Sequence, residues 1–258
     1  MRPVTDVEPA EPKSRSPMRR RIVAVLIALA GAWYAAGLDS SAVTAPDSAV
    51  YLDLAHSLAS GQGYVENWTG RPMSHVKFPF LFPLMLSPVV ALFGVNFLII
   101  KTLVAAFGIF ALWMVWKLFE ASDPDLAVPV VAVSAVSAYL FAYAHAIMSE
   151  IPYLLFSTAA LFFALRFERR ERWLRNAIPM VLLVTAAYYT RSIGMCLAGA
   201  VAASVLLGGA CRDRGRRILF IAATAGAAML VWVLRCGSIS PDGGGYLRYV
   251  LMSKESMS

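Results

Sequence analysis

Charged side chains are few in this sequence, and several of those with chemical potential stand at the borders of apolar blocks. Glu150 lies between two apolar stretches, 126–147 and 151–167. An ionised carboxylate there is costly unless it meets water, a cation or another partner. Lys77 and Arg191 are cations at similar borders, where a long side chain can snorkel its charge to water. His75, two residues before Lys77, could ligate a metal or donate to phosphate, although simple solvation is the plainer reading of a loop histidine. Asp47 precedes the amphipathic segment Ser48–Ala59, with Val50, Leu54 and Leu58 on one face and Tyr51 and Ala55 on its neighbour. Placed as an N-cap, its carboxylate would accept a backbone N–H. Tyr51 and Tyr64 are expected to pack this loop helix against the membrane.

The elements that must position these residues are set by composition. Of 258 residues, 59% are hydrophobic and 15% charged, against about 45–50% apolar and about 25% charged in a soluble domain. The apolar residues fall in blocks near the roughly 20 that a bilayer crossing needs. Lipid is therefore the expected solvent. The formal charge of +7 sits in short arginine clusters between those blocks rather than on a periodic basic face, which fits membrane orientation and excludes nucleic acid as a partner. Cys196, Cys211 and Cys236 have no metal-ligand spacing and read as small hydrophobes.

Residues 1–20, rich in proline and charge, are expected to be a disordered cytoplasmic tail ending at Arg19-Arg20-Arg21. The run Ile22–Leu38 reads as a retained signal anchor rather than a cleaved signal, because further apolar blocks follow. Spans are expected at 96–117, 126–147, 151–167, 176–190, 192–208 and 218–235 as well. Residues 79–94 hold Pro79, Pro83 and Pro88 and are short for a crossing. The clusters Arg166–Arg175 and Arg212–Arg217 both face the cytoplasm only if 79–94 does not cross, so that segment reads as an interfacial or re-entrant helix. The expected fold is an all-α polytopic transmembrane bundle, 21–235, of about seven spans. Residues 39–95 form its outer first loop with juxtamembrane helices, and 236–258 an outer C-terminal segment.

One pattern goes further: Asp47-x-x-x-Tyr51-x-x-x-Ala55-x-x-Leu58-x-x-Gly61-x-Gly63, then Lys77-Phe78-Pro79-Phe80-Leu81-Phe82-Pro83-Leu84 running to Leu92-Phe93-Gly94. Ser149-Glu150-Ile151-Pro152-Tyr153 and Thr190-Arg191-Ser192-Ile193-Gly194 follow in order. Together these resemble the N-terminal portion of the GT-C membrane glycosyltransferases, nearest to the aminoarabinose transferases and protein mannosyltransferases, over roughly residues 20–210. Ser48 stands where that family commonly has a second acidic residue. Family members also continue through more spans than this chain holds, so a truncated protein is an open expectation.

The resemblance implies transfer of a sugar from a polyprenyl-phosphate donor to a lipid, glycan or protein acceptor, on the non-cytoplasmic face of a multi-pass membrane protein (the inner membrane, if bacterial). It implies that Asp47 is the general base or, with Glu150, a ligand for a divalent metal such as Mg²⁺, Mn²⁺ or Zn²⁺. It also implies that Lys77 and Arg191, with His75 and Tyr51 near them, bind the donor. A membrane transporter and a non-catalytic membrane protein are the competing readings. Asn67-Trp68-Thr69 is a glycosylation sequon on the expected outer side.

Overall fold

Capping residues divide the apolar sequence into its helices. In the computed structural model, which describes residues 17–42, 46–67, 72–168, 173–207 and 214–239, the chain is mostly helical. The helices are α1 (Pro17–Ala36), α2 (Pro46–Ala59), α3 (Leu81–Phe93), α4 (Phe97–Ser122), α5 (Pro124–Ala135), α6 (Ala138–Ala144), α7 (Glu150–Glu168), α8 (Trp173–Thr190), α9 (Gly194–Leu207) and α10 (Arg214–Ile239). A small antiparallel hairpin, β1 (Val65–Glu66) and β2 (Met73–Ser74), pairs Val65 with Ser74 and Glu66 with Met73. Asn96 caps α4 by accepting from the Ile99 N–H, and Asp123 both ends α4 and caps α5 at the Asp125 N–H. Pro124, following at once, has the fixed φ of a first helical residue. Ser137 caps α6 by accepting from the Leu140 N–H, so the stretch expected as one span is broken into α5 and α6, bent by 58°.

Among the described residues, three helices are long and apolar enough to cross a membrane: α4, α7 over Glu150–Phe167 and α10 over Ile218–Ile239. The bent pair α5–α6 makes a fourth if it is one span. The larger count read from the sequence included α1, whose first turns carry Arg19–Arg21, α8, which carries Arg175 and Asn176, and α9, of only 14 residues. At about 1.5 Å per residue, the 13 residues of α3 reach about 20 Å, well short of a hydrocarbon core of about 30 Å. The tail before residue 17, the sequon's Trp68 and Thr69, Arg71, Arg169–Arg172, Cys211, Arg212 and the segment from 240 onward lie outside the described residues.

Contacts define two ends of the helix bundle. At one end the α1 arginines meet the α4–α5 junction, where Arg19 donates to Asp125 at 2.7 Å and Arg20 lies 3.7 Å from Glu120. There too Asn176 of α8 donates to the Arg166 carbonyl of α7. At the other end His145, after α6, donates to the Tyr34 carbonyl oxygen of α1 at 2.8 Å. Lys101 of α4 reaches Asp39 at 2.5 Å and the Ser41 carbonyl at 3.1 Å. These hydrogen bonds hold the Asp39 carboxyl down at about 2. Helix α3 packs mainly on α2 and touches α8 and α4, with Phe80 against Tyr189 near the end of α8. It therefore stays at this second end. Between the ends, α7 packs along both α4 and α8, and burial of Ala160, Phe167, Met180, Val184 and Val201 forms one apolar centre.

Candidate active site

The candidate residues meet at the second end of the bundle. Helix α2 begins at Pro46, so Asp47 lies within the first turn rather than capping it; its carboxylate is still favoured by the positive end of the helix dipole. One turn later Tyr51 is buried, its ring against Phe78 at 4.8 Å and edge-on to Phe82 at 4.9 Å. Its hydroxyl shares a 2.9 Å hydrogen bond with Ser149 Oγ. Burial pushes the Tyr51 hydroxyl up to about 12, so it keeps its proton near neutrality and works as a hydrogen-bonding post, not as a base.

Lys77 arrives from the segment after β2. Its ammonium lies 3.5 Å from Asp47 Oδ1 and 4.5 Å from the centre of the Phe78 ring. From the start of α7 and the end of α8 come Glu150 and Arg191, which form an ion pair. Arg191 also donates to Ser149 Oγ at 3.4 Å. The result is a chain of contacts from Tyr51 through Ser149 and Arg191 to Glu150. A cleft of about 200 Å³ is lined by Asp47, Tyr51, Lys77, Phe78 and Pro79 on one side and the Thr190–Ile193 turn on the other. The Asp47 and Lys77 side chains are 42% and 34% exposed, and such a pair contributes only about 0–1 kcal/mol to stability. Either partner can be exchanged for a ligand at little cost. Glu150 Oε2 is buried and has no protein hydrogen-bond partner, which makes it a second acceptor beside the cleft.

His75 is not in that cleft. Read from sequence as a solvated or ligand-binding group, it is instead 3% exposed. Its Nδ1 faces Glu66, and its Nε2 accepts from the Phe78 N–H at 2.7 Å. With Nε2 accepting, Nδ1 carries the proton and donates to the carboxylate. Both nitrogens are therefore occupied. Burial lowers the His75 pKa despite Glu66. Arg235 of α10 donates to the His75 carbonyl at 2.8 Å and lies over the Tyr64 ring, and the Tyr64 hydroxyl donates to the Phe78 and Pro79 carbonyls. These contacts fix the turn that carries Lys77. Ser149, Phe78, Thr190 and Ser192 stand within the motifs read from sequence but were given no role there; for Ser149 no local pattern marks a residue that matters through a partner 98 positions away.

The two carboxylates that the resemblance offers a divalent metal are both engaged by cations of the protein. Asp47 and Glu150 each face a cation, and no group of three His, Cys, Asp or Glu converges among the described residues. Lys77 and Arg191 suit an anion between them. Ser48, at the position of the family's second acid, is fully buried. A carboxylate there would have no access to the cleft's water. Compared with known proteins, the chain matches no family model, no curated protein and no solved structure.

Proposed function

We propose that this chain is a GT-C-type glycosyltransferase that moves a sugar from a polyprenyl-phosphate donor to an acceptor at the non-cytoplasmic face of a membrane. The observation that carries the reading is the convergence of Asp47, Lys77 and Arg191, from three separate segments, on one cleft walled by Phe78 and Pro79. A carboxylate, two cations and an apolar wall are what transfer from a lipid phosphate requires. The acceptor hydroxyl gives its proton to Asp47 as its oxygen bonds the anomeric carbon. The bond from that carbon to the phosphate oxygen breaks, and the phosphate leaves with the electron pair, its charge balanced by Lys77 and Arg191. Attack opposite the leaving group inverts the anomeric carbon. Tyr51 and Ser149 hold Arg191 in place, and Glu150 keeps its guanidinium oriented.

The sidedness follows the same reasoning. Arg19, Arg20 and Arg166 belong to the end away from the cleft, the end that the positive-inside rule assigns to the cytoplasm. Chain direction alternates between the ends through α1, α4, α5–α6, α7, α8, α9 and α10. This supports seven passes between the ends, of which α9, at 14 residues, is the shortest and falls short of a full crossing by itself, with α2, the hairpin and α3 as the outer loop.

The test is transfer in membranes or proteoliposomes containing the chain, supplied with radiolabelled polyprenyl-phosphate sugars. Labelled acceptor dependent on the intact chain is the expected result. Transfer from nucleotide sugars alone would assign a different donor class, and no transfer from any lipid-phosphate sugar would remove the enzymatic reading.

A further inference from the structure

At the arginine-bearing end, a second cavity of about 380 Å³ lies between α4 and α7. Its wall is apolar, formed by Trp113, Met114, Phe162 and Phe163, and its polar groups are Lys117, Glu120 and Arg166. Both walls belong to helices able to cross a membrane; Glu120 and Arg166 lie in their last turns, and Lys117 one turn before the end of α4. Lys117 lies 4.1 Å from the centre of the Trp116 ring and 3.3 Å from Glu120. Glu120, the one carboxylate of the lining among the described residues, is also approached by Arg20 at 3.7 Å, so two cations share it while Arg166 adds a third positive charge to the same cavity. Arg166 stacks over Phe162 at 5.1 Å. The cavity therefore has an apolar body and a positively charged rim at a bilayer boundary.

We propose that this cavity binds one anionic phospholipid of the leaflet at the arginine-bearing end. The acyl chain lies along Trp113, Phe162 and Phe163, and Lys117 and Arg166 hold the phosphate. Charge complementarity selects the occupant: a neutral lipid would leave the excess of positive charge among the described lining residues uncompensated, and a soluble phosphate would leave the aromatic wall against nothing. The site stands apart from the cleft and does not depend on the transferase reading.

The test uses the full chain in phosphatidylcholine vesicles that contain a small fraction of lipid with brominated acyl chains, and reads tryptophan fluorescence. Brominated phosphatidylglycerol should quench more than brominated phosphatidylcholine at equal fraction, with an apparent preference of about fivefold for each cation engaged. That excess should vanish in Lys117→Gln/Arg166→Gln, persist in Lys117→Arg/Arg166→Lys, and shrink in Trp113→Phe. Helical circular dichroism shows whether the variants fold, and the wild-type comparison stands without them. Equal quenching by the two lipids in the wild type, or an excess that survives the double Gln substitution, overturns the proposal. Abolition of the excess by millimolar glycerol phosphate assigns the site to a soluble phosphate and equally overturns it.

Discussion

The two ends of the helix bundle use charge in opposite ways. At the cleft end three cations each pair with a carboxylate of their own: Asp39 with Lys101, Asp47 with Lys77, Glu150 with Arg191. At the other end Arg19 pairs with Asp125, but Lys117 and Arg20 share one carboxylate, Glu120, and Arg166 lines the same cavity; Lys117 and Arg166 lie on aromatic rings. A balanced set can hold a reacting group and change partners as charge moves, because no net field opposes the change. A surplus of fixed positive charge does something simpler: it prefers a negatively charged surface. The difference separates a site suited to chemistry from an end suited to orientation.

The largest expected effect is all-or-none and tests whether the ends face opposite sides. In a background without Cys196, Cys211 and Cys236, a cysteine at exposed Ser74 should react with an impermeant thiol reagent from the non-cytoplasmic side, and one at exposed Arg175 should not. Ser74 serves as the reporter because the adjacent His75 is buried. Reaction of both positions from the same side would end the two-sided comparison.

Next comes Asp47→Asn, which keeps the shape of the side chain and removes its charge. Loss of a general base lowers transfer by about 10²–10⁴-fold, or roughly 3–5 kcal/mol of barrier. Asp53→Asn is the control: Asp53 accepts from the Asn67 N–H at 2.7 Å, and asparagine retains an accepting oxygen. If Asp47→Asn keeps more than about a tenth of wild-type transfer, the base lies elsewhere, and Glu150 with its unpartnered oxygen is tested in the same assay.

A smaller loss is expected at Lys77. Lys77→Ala should weaken donor use by about ten- to a hundredfold, the worth of a charge-assisted hydrogen bond of roughly 1.5–3 kcal/mol, whereas Lys77→Arg should keep most of it. Equal activity of the two variants, at the wild-type level, would leave Lys77 as a snorkelling residue. Competition of inorganic phosphate with the donor, measured in parallel, checks that the lost term is charge.

The smallest effect concerns the scaffold. Replacing His75 by Gln should destabilise the hairpin by about 1–3 kcal/mol through the buried partners left unpaired, read as faster proteolysis of the 60–80 segment. The pH dependence has a definite sign. Burial depresses the His75 pKa from its ordinary 6.5, so below 6.5 the unfolded loop binds the proton more readily than the folded one. Its stabilising contribution is complete above that pH and is lost as pH falls through the lower folded value. The proteolysis rate should therefore rise on acidification in the wild type, and His75→Gln should flatten the profile.

The sequence by itself determined that the chain is helical and apolar, where arginines accumulate, and which charged residues stand at the borders of apolar blocks. Those properties are local sums of hydropathy and charge, and they need no partner to be read. The capping residues Asn96, Asp123 and Ser137 were present in the sequence too, but the break at Ser137 between α5 and α6 was not anticipated, because a cap competes with a continuous apolar run and only packing decides the outcome. Tertiary structure alone decided that Asp47 meets Lys77 and that Glu150 meets Arg191 beside Ser149 and Tyr51. It also turned His75 inward to Glu66. Such pairings depend on how α2, α7 and α8 pack against one another, and at a separation of 98 residues, as between Tyr51 and Ser149, no spacing rule in a single sequence encodes them.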